Sequence, residues 1–132
     1  MARSLLLKSV ILLALLLNAA SVRAGAPLLS LGENDSGRHV QLRPGQEMDV
    51  VLFENGTTGY QWQIVPVSGG VLEEAAKPDF KPSSGLIGAG GKKTFHFKAT
   101  SPGRTILRLV YRRPWEANVL PIKTFLVRIT VR

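Results

Sequence analysis

Hydrophobic and polar residues alternate with a period of two over most of the chain beyond residue 25. Successive side chains of a β-strand point to opposite faces, so this alternation is typical of strands that bury one face. The alternating stretches are short, are rich in Val, Ile, Leu, Thr and Phe, and are separated by turn residues about every eight to twelve positions. No helical period is sustained. The pattern therefore predicts an all-β fold, a two-sheet antiparallel β-sandwich of six to eight strands.

The predicted strands cover residues 38–46, 47–55, 60–67, 92–99, 104–111 and 124–131. A weaker segment, residues 71–80, contains Pro78, which predicts an edge strand or an irregular crossover because proline cannot donate to a strand ladder. Residues 81–91 show no periodicity and are expected to form a loop. The residues predicted to face inward are Tyr60, Trp62, Ile64, Phe95, Phe97, Ala99, Leu107, Leu109, Tyr111, Phe125, Val127, Ile129 and Val131.

The first 24 residues follow a different pattern. Basic residues precede an apolar run over residues 10–17, and small residues come next. This order is that of a secretory signal peptide; cleavage after Ala24 fits best, and cleavage after Ala20 is the alternative. The run is shorter than the roughly 20 residues of a membrane-spanning helix, which disfavours a membrane anchor. We therefore expect an exported protein, periplasmic or secreted, with a single mature domain at residues 25–132 and no stable membrane association.

The cysteine content and the charge of the chain limit its cellular location and the partners that it could bind. The chain has no cysteine, so no disulfide can form, which favours a bacterial periplasm or exterior over a eukaryotic secretory route. The formal net charge is +8, and removal of the signal peptide leaves 14 basic and 9 acidic residues. This surplus would suit an acidic partner or faster association with one, and it would equally suit a soluble surface. The basic residues are scattered along the sequence without interleaved aromatics, so no nucleic-acid partner is expected.

Catalytic and metal-binding patterns are missing from the sequence. His39 and His96 lie on separate predicted strands without a second histidine at ligand spacing. No G-x-S-x-G motif occurs, and the serines lie in predicted turns. The stretch "GLIGAGGKKT" is not a phosphate-binding loop, because Gly-Lys-Thr is not contiguous and a strand pattern follows where a helix is required. We therefore predict no enzyme, no cofactor and no metal site.

Three predicted loops have no evident role in a core: residues 55–59, 88–91 and 113–115. The first, "NGTTG", contains an Asn-Gly pair that could reverse the chain without the threonines and glycine that follow. Taken singly, these segments also fit a hairpin loop, a flexible connector and a turn with Trp115 in the core. In a β-sandwich, however, loops cluster at the two ends, where immunoglobulin variable domains carry their binding loops.

Together and in this order, the three segments resemble the chagasin family of cysteine peptidase inhibitors. The loops of that family read Asn-Pro-Thr-Thr-Gly before an aromatic, Gly-x-Gly-Gly, and Arg-Pro-Trp, and the resemblance covers roughly Val40 to Val131. It implies an immunoglobulin-like fold and a monomer that reversibly and non-covalently inhibits papain-like cysteine peptidases by occluding the active-site cleft with three loops. The peptidase-binding residues that it implies are Asn55, Gly56, Thr57, Thr58, Gly59, Gly88, Ala89, Gly90, Gly91, Arg113, Pro114 and Trp115.

The resemblance also implies roles within these loops. The two threonines would lie over the catalytic cysteine, and the glycines of the second loop would let its backbone approach the enzyme's main chain. Trp115 would be an anchor, while Arg113 would either hydrogen-bond the enzyme or brace its own loop. Tyr60 and Trp62 are expected in the core beneath.

One residue departs from the family pattern. Gly56 stands where the family has proline, which frees a backbone angle and makes the loop costlier to order on binding. The alternative function is an exported immunoglobulin-like binding module, for carbohydrate or surface adhesion, that uses the same end loops.

Overall fold

The computed structural model describes residues 25–132, so the predicted signal peptide lies outside the described residues. Eight strands form two four-stranded sheets, which confirms the predicted β-sandwich. No helix within residues 25–132 is long and apolar enough to cross a membrane. The strands are β1 (Leu29–Leu31), β2 (His39–Leu42), β3 (Glu47–Glu54), β4 (Gln61–Ile64), β5 (Leu72–Pro82), β6 (Gly91–Ala99), β7 (Gly103–Arg112) and β8 (Lys123–Val131).

Sheet A has the strand order β1-β3-β6-β5, and sheet B has the order β2-β8-β7-β4. The longer strands pair antiparallel, as predicted, but the short strands β1 and β2 pair parallel to β3 and β8. The pairing of β1 was not predicted, because three residues are too few to show a period. Two single-turn 3₁₀ helices, Glu33–Asp35 and Gly56–Thr58, were also missed for this reason.

The core lies between the inward faces of both sheets. On β6, β7 and β8 every residue predicted to face inward is buried, and each large side chain stabilises the fold by about 1.5–3 kcal/mol on burial. Trp62 is buried as well, whereas Tyr60 and Ile64 are partly buried and pack against the core. The remaining buried apolar residues are Leu31, Val40, Leu42, Met48, Val50, Leu52, Val71 and Leu72.

The weak segment at residues 71–80 is confirmed as an edge strand, since β5 pairs only with β6. Its register with β6 shifts on both sides of Ala76, over the stretch that contains Pro78. The predicted loop at residues 81–91 is too long at both ends. Lys81 and Pro82 belong to β5, and Gly91 belongs to β6, because these residues pair with Lys92 and with each other across the hairpin.

Three connections leave the sandwich at one end. In sheet A, Gly91 pairs with both Glu54 and Pro82, so the β3–β4 and β5–β6 connections start from the same edge. In sheet B, Gln61 pairs with Arg112, which brings the β7–β8 connection beside the β3–β4 connection. The strand register therefore places all three loops singled out in the sequence together.

Candidate functional site at one end of the sandwich

The loop face consists of loop 1 (residues 55–59), loop 2 (residues 83–90) and loop 3 (residues 113–122). Loop 3 contacts loop 1 through a hydrogen bond from Arg113 Nε to the Thr58 carbonyl oxygen, 3.1 Å long. On the other side, a Cβ built on Gly88 of loop 2 would lie 3.6 Å from the Thr57 methyl carbon. Loop 1 is therefore central, with the other loops on either side.

Loop 1 is held by its own side chains. Asn55 caps the 3₁₀ turn, since its Oδ1 accepts hydrogen bonds from the Thr57 N–H (3.2 Å) and from the Thr57 hydroxyl (2.7 Å). The Thr58 hydroxyl donates to the Asn55 carbonyl at 2.7 Å. Both threonine hydroxyl protons are thus used inside the loop, which fixes its shape before any partner binds.

Gly59 ends the turn in the left-handed conformation, with φ 79° and ψ −6°. A Cβ on Gly59 would lie 2.3 Å from Cη2 of the Trp115 indole, so only glycine allows the indole to lie against loop 1. Trp115 itself is 70% exposed. The interpretation that tucks Trp115 into the core is therefore wrong, and the indole forms part of the outer surface of the loop face.

Arg113 braces the loop face from within the protein. Besides its bond to loop 1, its guanidinium lies 4.5 Å from the centre of the Tyr60 ring, and Nη1 lies 3.3 Å from Glu116 Oε1. A guanidinium held by a carbonyl, a carboxylate and an aromatic face keeps one orientation. Of the two roles proposed for Arg113, the structure shows the bracing one.

A buried polar group supports loop 1 from below. Glu54 is 8% exposed, accepts a 2.7 Å hydrogen bond from the Trp62 N–H and lies 3.5 Å from Lys93 Nζ. The Trp62 indole N–H donates to the Phe53 carbonyl, and the Tyr111 hydroxyl accepts from the Asn55 N–H at 3.1 Å. Glu54 was not predicted as a supporting residue, although an acid at the inward position after three alternating apolar residues of β3 is a recognisable signal.

The glycines of the predicted second loop, residues 88–91, have different environments. Gly88 is exposed with φ 83°, but Gly90 and Gly91 are buried. A Cβ on Gly90 would lie 2.3 Å from the Phe53 ring, and one on Gly91 would lie 2.3 Å from the Lys81 carbonyl oxygen. Gly90 therefore lets the hairpin pack against β3, and Gly91 lets β5 approach β6 closely. Both are roles in the protein's own packing that were not predicted from the sequence.

The tip of loop 2 is apolar and exposed. Leu86 is 78% exposed and Ile87 is fully exposed. The Ser83 N–H to Gly90 carbonyl bond, 2.9 Å, closes the base of the loop, and the Ala89 N–H to Leu86 carbonyl bond, 3.2 Å, closes a turn at its tip. Leu86 and Ile87 were not predicted as contact residues, although two large apolar residues in a glycine- and serine-rich segment are a signal for a contact surface.

The histidines lie on strands, away from the loop tips. His39 Nε2 lies 2.7 Å from the Thr130 hydroxyl, and His96 lies between Asp79 (2.7 Å) and Asp49 (2.8 Å). The hydrogen bond to Asp79, followed by that to Asp49, raises the pKa of His96. Because these residues lie on β5, β3 and β6, His96 ties the edge strand to its sheet. Within residues 25–132, no cluster of three or more metal-ligating side chains can hold an ion.

Comparison with known proteins gives concordant matches. The family model "Chagasin family peptidase inhibitor I42" matches residues 41–129. Amoebiasin-1 of Entamoeba histolytica is 30% identical over 104 residues, which cover 79% of this chain and all of amoebiasin-1. The crystal structure of EhICP2, a cysteine protease inhibitor from Entamoeba histolytica, has a TM-score of 0.71 at 22% identity, covering 81% of this chain and 100% of that one. The structure of PbICP-C in complex with falcipain-2 has a TM-score of 0.55 at 19% identity, with the same coverage of both chains. At these identities, the two structures show the shared fold.

Proposed function

We propose that this chain, which belongs to the chagasin family of cysteine peptidase inhibitors, blocks papain-like enzymes by inserting its loop face into the active-site cleft. The observation that carries this proposal is the contact of loops 1, 2 and 3 in one projecting surface. No comparison supports the alternative of a carbohydrate-binding or adhesion module that uses these loops.

The shape of loop 1 explains how an inhibitor avoids being cleaved. A cysteine peptidase attacks the carbonyl of an extended peptide in its cleft, and the reaction needs that carbonyl in a defined position. Here the carbonyls of Asn55, Gly56 and Thr58 accept hydrogen bonds from Thr58, Gly59 and Arg113. A 3₁₀ turn in which these three carbonyls are occupied is a poor substrate strand.

Apolar anchors on both sides of loop 1 provide the binding energy. Trp115 and the Leu86–Ile87 tip are exposed in the free protein, and burying a large apolar side chain contributes about 1.5–3 kcal/mol. The hydrogen bonds inside loop 1 are already made, so little conformational freedom is lost on association. The complex of PbICP-C with falcipain-2 supports a cysteine peptidase as the partner, since PbICP-C shares this fold.

The proposal is tested with papain, a fluorogenic peptide and the purified protein. We expect competitive inhibition that is reversed by dilution, with both proteins recovered at unchanged mass. Thr57→Arg, which places a bulky charge at the centre of the loop face, should abolish it, while Thr124→Arg, at an exposed position of β8, should not. Equal inhibition by the two variants would rule out the loop face as the binding surface.

Export is a separate proposal that rests on the pattern of residues 1–24. It would bring the inhibitor to peptidases outside the cytoplasm. N-terminal sequencing of protein recovered outside the cytoplasm of expressing cells should begin at Gly25. A product that keeps Met1 and stays with the cytoplasmic fraction would contradict it.

A further inference from the structure

The two sheets differ sharply in charge. The strands of sheet A carry six acidic and five basic residues, whereas the strands of sheet B carry five basic residues and no acid. All five basic residues of sheet B lie on β7 and β8, which are adjacent strands, although loop 3 separates them along the chain. In the fold they collect on one side. The five are Arg104, Arg108, Arg112, Lys123 and Arg128.

Three of these arginines form a row on the outer surface of sheet B, which we call the guanidinium face: Arg104, Arg108 and Arg128. Arg128 pairs with Ile106, midway between Arg104 and Arg108 on β7. Residues four apart on a strand are about 13 Å apart, and neighbouring strands are about 4.8 Å apart, so the row is a shallow zigzag. All three are exposed, and within residues 25–132 none forms a salt bridge.

A groove runs beside this row. It has a volume of about 660 Å³, and its lining includes Arg104, Arg128, His39, Ser68 and Thr130. Guanidinium groups bind sulfate and carboxylate through paired hydrogen bonds, and the hydroxyl groups add donors and acceptors for sugar hydroxyls. The groove thus combines anion-binding and sugar-binding chemistry.

The guanidinium face is separate from the loop face. Arg104 lies at the start of β7, eight residues before Arg112, where loop 3 begins. Eight residues of strand span about 26 Å. A ligand on the groove therefore leaves the loop face free to enter a peptidase.

We propose that the guanidinium face binds an acidic polysaccharide and holds the inhibitor on it with the loop face exposed. A linear polymer with regularly spaced negative charges matches the row of unpaired arginines. A single-stranded nucleic acid would need aromatic rings to stack on, and the outward positions of the sheet B strands carry no Phe, Tyr or Trp. A membrane surface would need several large apolar side chains to insert. The row offers a single exposed one, Ile106, which is 50% exposed.

The test compares two variants of equal net charge for binding to dextran sulfate, with uncharged dextran as the polymer control. One variant carries Arg104→Gln, Arg108→Gln and Arg128→Gln; the other carries Lys77→Gln, Lys81→Gln and Lys98→Gln on sheet A. We expect the protein to bind dextran sulfate but not dextran. Relative to the unsubstituted protein, the arginine variant should bind dextran sulfate at least about 10-fold more weakly, and the lysine variant should stay within about 3-fold. Both variants lose the same net charge, but only the arginine variant loses the local site.

Other outcomes would overturn the proposal. Equal losses in the two variants would mean that net charge alone attracts the polymer. Tighter binding to phosphatidylglycerol vesicles or to a single-stranded oligonucleotide than to dextran sulfate would mean that the occupant is a different polyanion. Papain inhibition is the independent readout: it should be unchanged in the arginine variant and in the presence of dextran sulfate. If the triple arginine variant unfolds, Arg128→Gln against Lys98→Gln gives the same comparison.

Discussion

Loops 1 and 3 differ from loop 2 in how they are built, although all three meet at one end of the sandwich. Loops 1 and 3 are joined by the Arg113–Thr58 hydrogen bond and by the indole of Trp115 against Gly59. Loop 2 has the exposed Leu86–Ile87 tip, and the buried Gly90 lies at its base. The loop face therefore combines two loops that are joined before binding with a third loop that has an apolar tip. Different substitutions should for this reason affect affinity and stability separately.

The largest expected effect is on the side of loops 1 and 3. Trp115→Ala should raise the inhibition constant for papain by about 30-fold or more, since truncating a tryptophan anchor costs about 2 kcal/mol or more. Because Trp115 is mostly exposed, the free energy of unfolding should change by less than about 0.5 kcal/mol. Leu28→Ala, at an exposed position just before β1 and outside the loop face, is the control. A large loss of thermal stability in the Trp115 variant would show that the indole supports the fold instead.

At the base of loop 2, a substitution should affect stability more than inhibition. Gly90→Ala drives a methyl group into the Phe53 ring, so it should lower the free energy of unfolding by about 1–3 kcal/mol. Gly85→Ala in the same loop meets nothing within 4 Å and should be nearly neutral. Chemical denaturation measures both. Equal stability of the two variants would contradict the packing role of Gly90.

At the tip of loop 2, Leu86→Ser and Ile87→Ser should each weaken papain inhibition by about 10-fold, from the loss of about 1.5 kcal/mol of apolar burial. Their melting temperatures should match the unsubstituted protein, because both side chains are already in water. Leu28→Ser, just before β1 at the far end of the sandwich, is the matched control. Unchanged inhibition would remove the tip from the binding surface.

A smaller change should make loop 1 stiffer. Gly56→Pro restores the residue that the family has at this position, and a Cβ there meets nothing within 4 Å. Proline suits the first position of a helical turn, and Asn55 before it is extended, as proline requires. We expect stability to rise by about 0.4–1 kcal/mol and inhibition to tighten by about 2–5-fold. Weaker inhibition would mean that loop 1 must change shape to bind.

The smallest effect concerns the strand that carries loop 2. Asp79 and Asp49 raise the pKa of His96, so protonated His96 stabilises the fold below the unfolded pKa of about 6.5, and this contribution is lost as pH rises through the folded pKa. The melting temperature should therefore fall between about pH 6 and about pH 9 by more in the unsubstituted protein than in His96→Gln. Parallel curves for the two proteins would show that this clamp does not stabilise β5.

The buried face of a strand could be predicted wherever hydrophobic and polar residues alternate along it. Phe95, Phe97 and the inward residues of β7 and β8 are buried as predicted, because alternation alone assigns the two faces of a strand. The three loop motifs could also be identified from the sequence, because each is contained in a short run of consecutive residues. The bounds of loop 2 were too wide because pairing, and not composition, decides where a strand ends.

What the sequence by itself determined is the β-sandwich and the inhibitor family, both of which follow from periods and motifs contained in short segments. Only the tertiary structure decided which distant segments meet. It placed the indole of Trp115 on Gly59, gave Gly90 a packing role and collected arginines from β7 and β8 on one sheet. The physical reason is that these properties depend on how strands pair and pack across the sandwich. The residues of a short segment do not determine that pairing.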